Sequence, residues 1–231
     1  CLRNYTKQFD STLASKSIFY FGYNSSLCET RIIGSYEKSI SGSQVVSSNA
    51  GKDMLLLKLS KRPPVDYMTY ESGWNIESNP YGPVTCIHHP NGDLMKISIG
   101  DNDPQPYSFP VDGLDPDSHW LVNEWAIGVT ERGSSGAPLY DRNGLIIGAL
   151  SGGASLCSKR GNDKFWRLNN VWNNPQSQPY DIMSVLDPSH LGIIRLNGKE
   201  SYEQRCFSLK RNIHKCGFLE QCRCNSFRHQ L

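Results

Sequence analysis

Residues 131–153 read ERGSSGAPLYDRNGLIIGALSGG. Ser135 sits in a glycine-bracketed turn, Gly133-Ser134-Ser135-Gly136-Ala137-Pro138. Glycine at 133 lets the backbone turn so that its N–H and that of Ser135 converge on one point. Two such donors form an oxyanion hole, each contributing on the order of 3 kcal/mol to an acyl-transfer transition state. Gly136 leaves room for a substrate to reach Oγ of Ser135. A plain hairpin loop has the same composition, so the flanks decide. Pro138-Leu139-Tyr140 and Leu145-Ile146-Ile147 enclose Asn143-Gly144, a hairpin signature. The apolar run then ends in Ser151-Gly152-Gly153. Such a strand can pair along its edge with an extended peptide, and its glycines leave a pocket open beside the nucleophile.

Upstream, Asp53 heads the apolar run Met54-Leu55-Leu56-Leu57-Lys58-Leu59, 82 residues before Ser135. A carboxylate there suits the third member of a Ser-His-Asp triad, which orients a histidine. The rest of the chain reads as short strands: Ser17–Tyr23, Val84–Ile87, Lys96–Ile99, Trp120–Val122 and Leu145–Leu150, separated by Asn-Ser, Pro-Pro, Asn-Gly and Asp-Gly turns. One helix is expected around Tyr180–Leu186. This pattern in 231 residues, 38% of them hydrophobic, points to an all-β barrel or sandwich with a sizeable core. Eight cysteines point to an oxidising compartment, and no apolar run is long enough for a membrane span. A net charge of +2 singles out no nucleic-acid or other polyanionic partner for the body of the chain.

The segments Ile18–Cys28 (IFYFGYNSSLC), Asp53–Leu59 (DMLLLKL), Ser72-Gly73-Trp74, Ile87–Ser98 (IHHPNGDLMKIS), Gly128–Tyr140 (GVTERGSSGAPLY) and Ile147–Gly153 (IGALSGG) together resemble the bacterial lysyl endopeptidase family of trypsin-like serine proteases. The resemblance runs from Cys1 to about Gly192. It implies a double β-barrel with the active site in the cleft between barrels. It implies Ser135 as nucleophile, Asp53 as triad acid, and the backbones of Gly133 and Ser135 as the oxyanion hole. The family cuts after lysine by means of an acid at the pocket base. Asp163 is the position matched to that acid, with Ser151, Gly152 and Gly153 lining the pocket; an exposed loop acid, neutralised by Lys159, Arg160 and Lys164, is the competing expectation. The resemblance also implies protein or peptide substrates, secretion, a monomer when complete, and no metal or organic cofactor.

Family order is His, Asp, Ser, and no histidine precedes Asp53. His88 and His89 follow it and are expected to be structural. The family histidine directly precedes a cysteine, so Cys1 reads as its neighbour, with the first strands and the histidine missing and the chain as it stands inactive. The family partners of Cys1, Cys28 and Cys157 would lie in that missing stretch. An aromatic that stacks on the family histidine should fall at Tyr107 or Phe109. Ser134 stands where digestive relatives carry Asp, so activation by a salt bridge to a newly cut N-terminus is not expected. Residues 1–194 form the expected protease domain and 195–231 a basic, Cys-rich tail, with eight Lys or Arg against three Asp or Glu. The tail is expected to be a solvated or disulfide-bonded extension; a polyanion-binding adaptor is the minor alternative. A non-catalytic, protease-like binding or scaffold protein is the rival to the enzyme.

Overall fold

The computed structural model describes residues 11–25 and 34–201. Cys1, Cys28, the four tail cysteines, His214 and His229 lie outside the described residues.

The C-terminal half is one curled antiparallel sheet. Its strands run in the spatial order Lys96–Gly100, Val84–His88, Pro138–Tyr140, Ile146–Gly153, Asp163–Arg167, His119–Val122, Gln105–Tyr107. The sheet rolls until its two sides meet: a Cβ on Gly100 would lie 3.2 Å from both the Glu124 carbonyl and Val122 Cγ1. Residues of five neighbouring strands, with Trp125 from the loop after His119–Val122, fill the barrel, namely Val84, Cys86, Trp120, Val122, Trp125, Leu139, Ile147, Leu150 and Phe165. The Asn143-Gly144 hairpin forms as expected, with Pro138 opposite Ala149 and Leu139 opposite Gly148.

The N-terminal part is built from smaller sheets. Ser43–Asn49 pairs with Met54–Leu59, and Gln178–Pro179 adds to the outer edge of Ser43–Asn49. Ile18–Tyr20 pairs with Ser39–Ser41. Among the described residues these strands do not close into a second barrel. A second core lies between them and the back of the C-terminal barrel: Met54, Trp74, Leu168, Val171, Trp172 and Ile182. The expected helix forms over Ile182–Leu186, and the Asp181 carboxylate caps it by accepting the Ser184 N–H. Strand pairing continues past residue 195: Arg195–Leu196 lies against Trp74–Asn75, and Lys199–Glu200 against Tyr70–Glu71. Among the described residues no helix is long and apolar enough to cross a membrane.

Candidate active site

The turn carrying Ser135 is held by its own backbone. Ser134 N–H donates to Glu131 O, Ala137 N–H to Ser134 O and Gly136 N–H to Leu150 O. Gly133 and Gly136 both take positive φ, +91° and +85°, which only glycine adopts without strain. Ser135 is exposed. Among the described residues the N–H groups of Gly133 and Ser135 donate to no backbone carbonyl, so both are available to a ligand.

The segment Pro90–Gly92 braces this turn from outside. Asn91 N–H donates to Arg132 O at 2.6 Å, and Asn91 Nδ2 donates to Glu131 Oε2. A Cβ on Gly133 would come to 3.0 Å from the Asn91 nitrogen, so a side chain there would crowd this brace as well as strain φ. Glu131 Oε1 accepts the Cys157 N–H, which ties the loop at Cys157 to the same point. Cys157 is an exposed free thiol and Cys86 a buried one; burial pushes the Cys86 thiol up, and the Glu131 carboxylate raises that of Cys157.

Asp163 is buried at the head of Asp163–Arg167, under Gly153. Its Oδ2 accepts two hydrogen bonds, from Trp125 Nε1 at 2.5 Å and from Thr130 Oγ1 at 2.7 Å. A Cβ on Gly153 would overlap Asp163 Oδ1. The exposed-loop alternative is therefore excluded. Lys159 and Arg160 are exposed and make no ion pair with Asp163. Lys164, next on the strand, points to the other face: its ammonium lies over the rings of Tyr107 and Phe109 and donates to Asn162 Oδ1.

Ser151 falls at a bulge. Leu150 pairs with Phe165 and Gly152 with Lys164, so Ser151 is skipped. Its Oγ contacts His119 Nε2 at 3.1 Å, while His119 Nδ1 contacts Ser118 Oγ. Burial, with the Lys52 ammonium second, pushes the His119 pKa down to about 4. Of the two candidate aromatics, Phe109 is the one beside His119 and Gly152: its ring meets His119 edge-on at 5.4 Å and lies 3.9 Å from where a Gly152 Cβ would stand. Asp53 occupies a left-handed backbone position (φ 55°, ψ 31°) between the turn Ala50–Lys52 and Met54–Leu59. Asp115 clamps that turn, donating its N–H to Gly51 O and pairing with Lys52 at 2.9 Å.

A closed antiparallel barrel with incomplete smaller sheets behind it is the trypsin-like double β-barrel fold, its N-terminal barrel incomplete among the described residues. The family described as "Lysyl endopeptidase, C-terminal domain" matches residues 1–166, and the chain belongs to that family. It is 29% identical over 176 residues to the lysyl endopeptidase of Pseudomonas aeruginosa, covering 71% of this chain and 36% of that protein. The chain thus spans about a third of that relative's length. Among solved structures, the Rv3671c protease of M. tuberculosis in its active form shares 20% identity at a TM-score of 0.40, covering 58% of this chain and 57% of that one. Its inactive form gives 19% and 0.39, with 58% and 66% covered.

Proposed function

We propose that this chain carries the catalytic serine and primary specificity pocket of a secreted serine endopeptidase that cuts after Lys, with Arg as second choice. The observation that carries this is the turn 133–136, where two free N–H groups flank an exposed serine. Ser135 attacks the scissile carbonyl, and the Gly133 and Ser135 N–H groups receive the developing oxyanion. Asp53 orients the imidazole that takes the Ser135 proton; in family order that histidine precedes Asp53, and these 231 residues hold none there. An acyl-enzyme forms and water releases it. Asp163 beneath Gly153 favours a cationic side chain in the pocket by charge pairing. Residues 195–231 are basic by composition, and their first strands, Arg195–Leu196 and Lys199–Glu200, pair with the body of the chain.

Without the imidazole, Ser135 keeps only oxyanion and binding contributions, about four or more orders of magnitude below full activity. The test compares the protein from its natural source with its Ser135→Ala variant on peptides bearing Lys, Arg or Glu at the cleaved position. Cleavage after Lys that vanishes in the variant supports the proposal. Cleavage that survives the variant, or none by the natural protein, overturns it; the latter result favours a protease-like binding protein.

A further inference from the structure

His88 is buried, as are the two hydroxyls that face it. Its Nδ1 lies 2.8 Å from Ser134 Oγ and its Nε2 3.0 Å from Ser98 Oγ. An unpaired buried polar group costs about 1–3 kcal/mol, so a histidine in this barrel wall needs both contacts. The contacts also have a direction. Ser134 Oγ already accepts the Glu131 N–H, and among the described residues no acceptor but Nδ1 is in its reach. Its own proton goes to Nδ1, which leaves Nε2–H to donate to Ser98. The imidazole is therefore a neutral strut between the strand Lys96–Gly100 and the residue that precedes the nucleophile.

That residue governs the oxyanion donors. The peptide unit that follows Ser134 carries the Ser135 N–H; the Gly133 N–H lies two units back, inside the turn that the Ser134 N–H closes on Glu131 O. Asn91 N–H pins the Arg132 carbonyl from outside. Because N–H and C=O of one peptide unit point oppositely, this turns the Gly133 N–H away from Asn91. His88 sets the depth of the same turn from within. We propose that His88 is a positioning residue which, through Ser134, fixes the backbone presenting the Gly133 and Ser135 N–H groups. The inference rests on the reading of that turn as an oxyanion hole. The charge environment keeps the strut neutral: burial, then His89, depress the His88 pKa, with Asp163 and Glu131 opposing.

The experiment is backbone-amide NMR of the 231-residue chain and its His88→Gln and Ser134→Ala variants. The expected result is that the Gly133 and Ser135 amide resonances shift in both single variants. The double variant should move them no further than the larger single change, because both residues act through one contact. Unmoved Gly133 and Ser135 amides in folded Ser134→Ala overturn the proposal, as do additive shifts. If His88→Gln fails to fold, Ser134→Ala, which removes one hydroxyl, still decides. In the form of the protein that hydrolyses lysyl peptides, Ser134→Ala should lower kcat roughly 10- to 100-fold, short of the 100- to 1000-fold cost of losing one donor outright, with KM nearly constant. A rise in KM with kcat kept overturns it. Hydrolysis that survives Ser135→Ala would fail the functional proposal alone, since the amide readout does not depend on turnover.

Discussion

Asp163 shows how a single residue's neighbours fix its chemistry. Trp125 and Thr130 both donate to one oxygen, while the other faces Gly153. Asp163→Asn keeps an acceptor and the volume but removes the charge. The expected outcome is a fall of roughly 10- to 100-fold in kcat/KM for lysyl substrates, the worth of a charge-assisted contact. Peptides with an uncharged side chain at the same position should change little, and a parallel fall in both classes would refute the pocket assignment. His119 gives a stability counterpart. Its folded pKa of about 4 lies below the ordinary histidine value of about 6.5. Between those values the unfolded chain binds the proton and the folded one does not, so stability is full above about pH 6.5 and falls as pH drops toward 4. The loss is on the order of 3 kcal/mol. Denaturation at several pH values checks it: His119→Gln should lack this limb. In the sequence, Asp163 was read as the pocket acid with an exposed loop acid as its rival, because the charged run Ser158–Lys164 hides the strand that buries it. Trp125 and Thr130 were not legible as its partners, since the pairing depends on the curl of the sheet and not on spacing. His88 was legible as structural; its link to Ser134 was not.

At the scale of elements, strands with apolar runs could be read from the sequence and polar ones could not. Met54–Leu59 was expected within those bounds, and Val84–His88 and Lys96–Gly100 exceed expectation by one residue each. Ser39–Ser41 and Ser43–Asn49 are serine-rich and carry no apolar alternation, so nothing marked them as strands. The stretch Ser17–Tyr23 pairs only over Ile18–Tyr20, because Gly22 takes a left-handed φ of +65° just beyond it. Ser72-Gly73-Trp74 carried part of the family resemblance, and the structure supplies a physical reason. A Cβ on Gly73 would overlap the Leu196 carbonyl and crowd Gly198, so glycine there lets Arg195–Leu196 dock on Trp74–Asn75. Gly73→Ala should detach that strand and cost about 1–3 kcal/mol, the range of overpacking in a fixed backbone. Faster hydrogen exchange confined to the amides of residues 195–200 and their partners would report it. Unchanged protection there would mean that the contact bears no weight.

At the scale of the molecule, two cores share the same strands. Ile147 and Phe165 point into the barrel, while their neighbours Ile146 and Trp166 pack on the second core with Trp74 and Trp172. Successive side chains of a strand face opposite sides, so neither core can loosen without disturbing the backbone of the other. Trp74 and Trp172, with ring centroids 4.5 Å apart, form the centre of the second core, where Met54 brings in the strand that follows Asp53. The position of Asp53 relative to Ser135 therefore depends on this buried seam. Trp172→Ala should lower unfolding free energy by about 3–5 kcal/mol. Because the cores share strands, the transition should remain single, with far-UV circular dichroism and tryptophan fluorescence coincident. If the two probes separate in the variant, with the barrel surviving the loss of the seam, the halves are independent units. The geometry between Asp53 and Ser135 would then need another support.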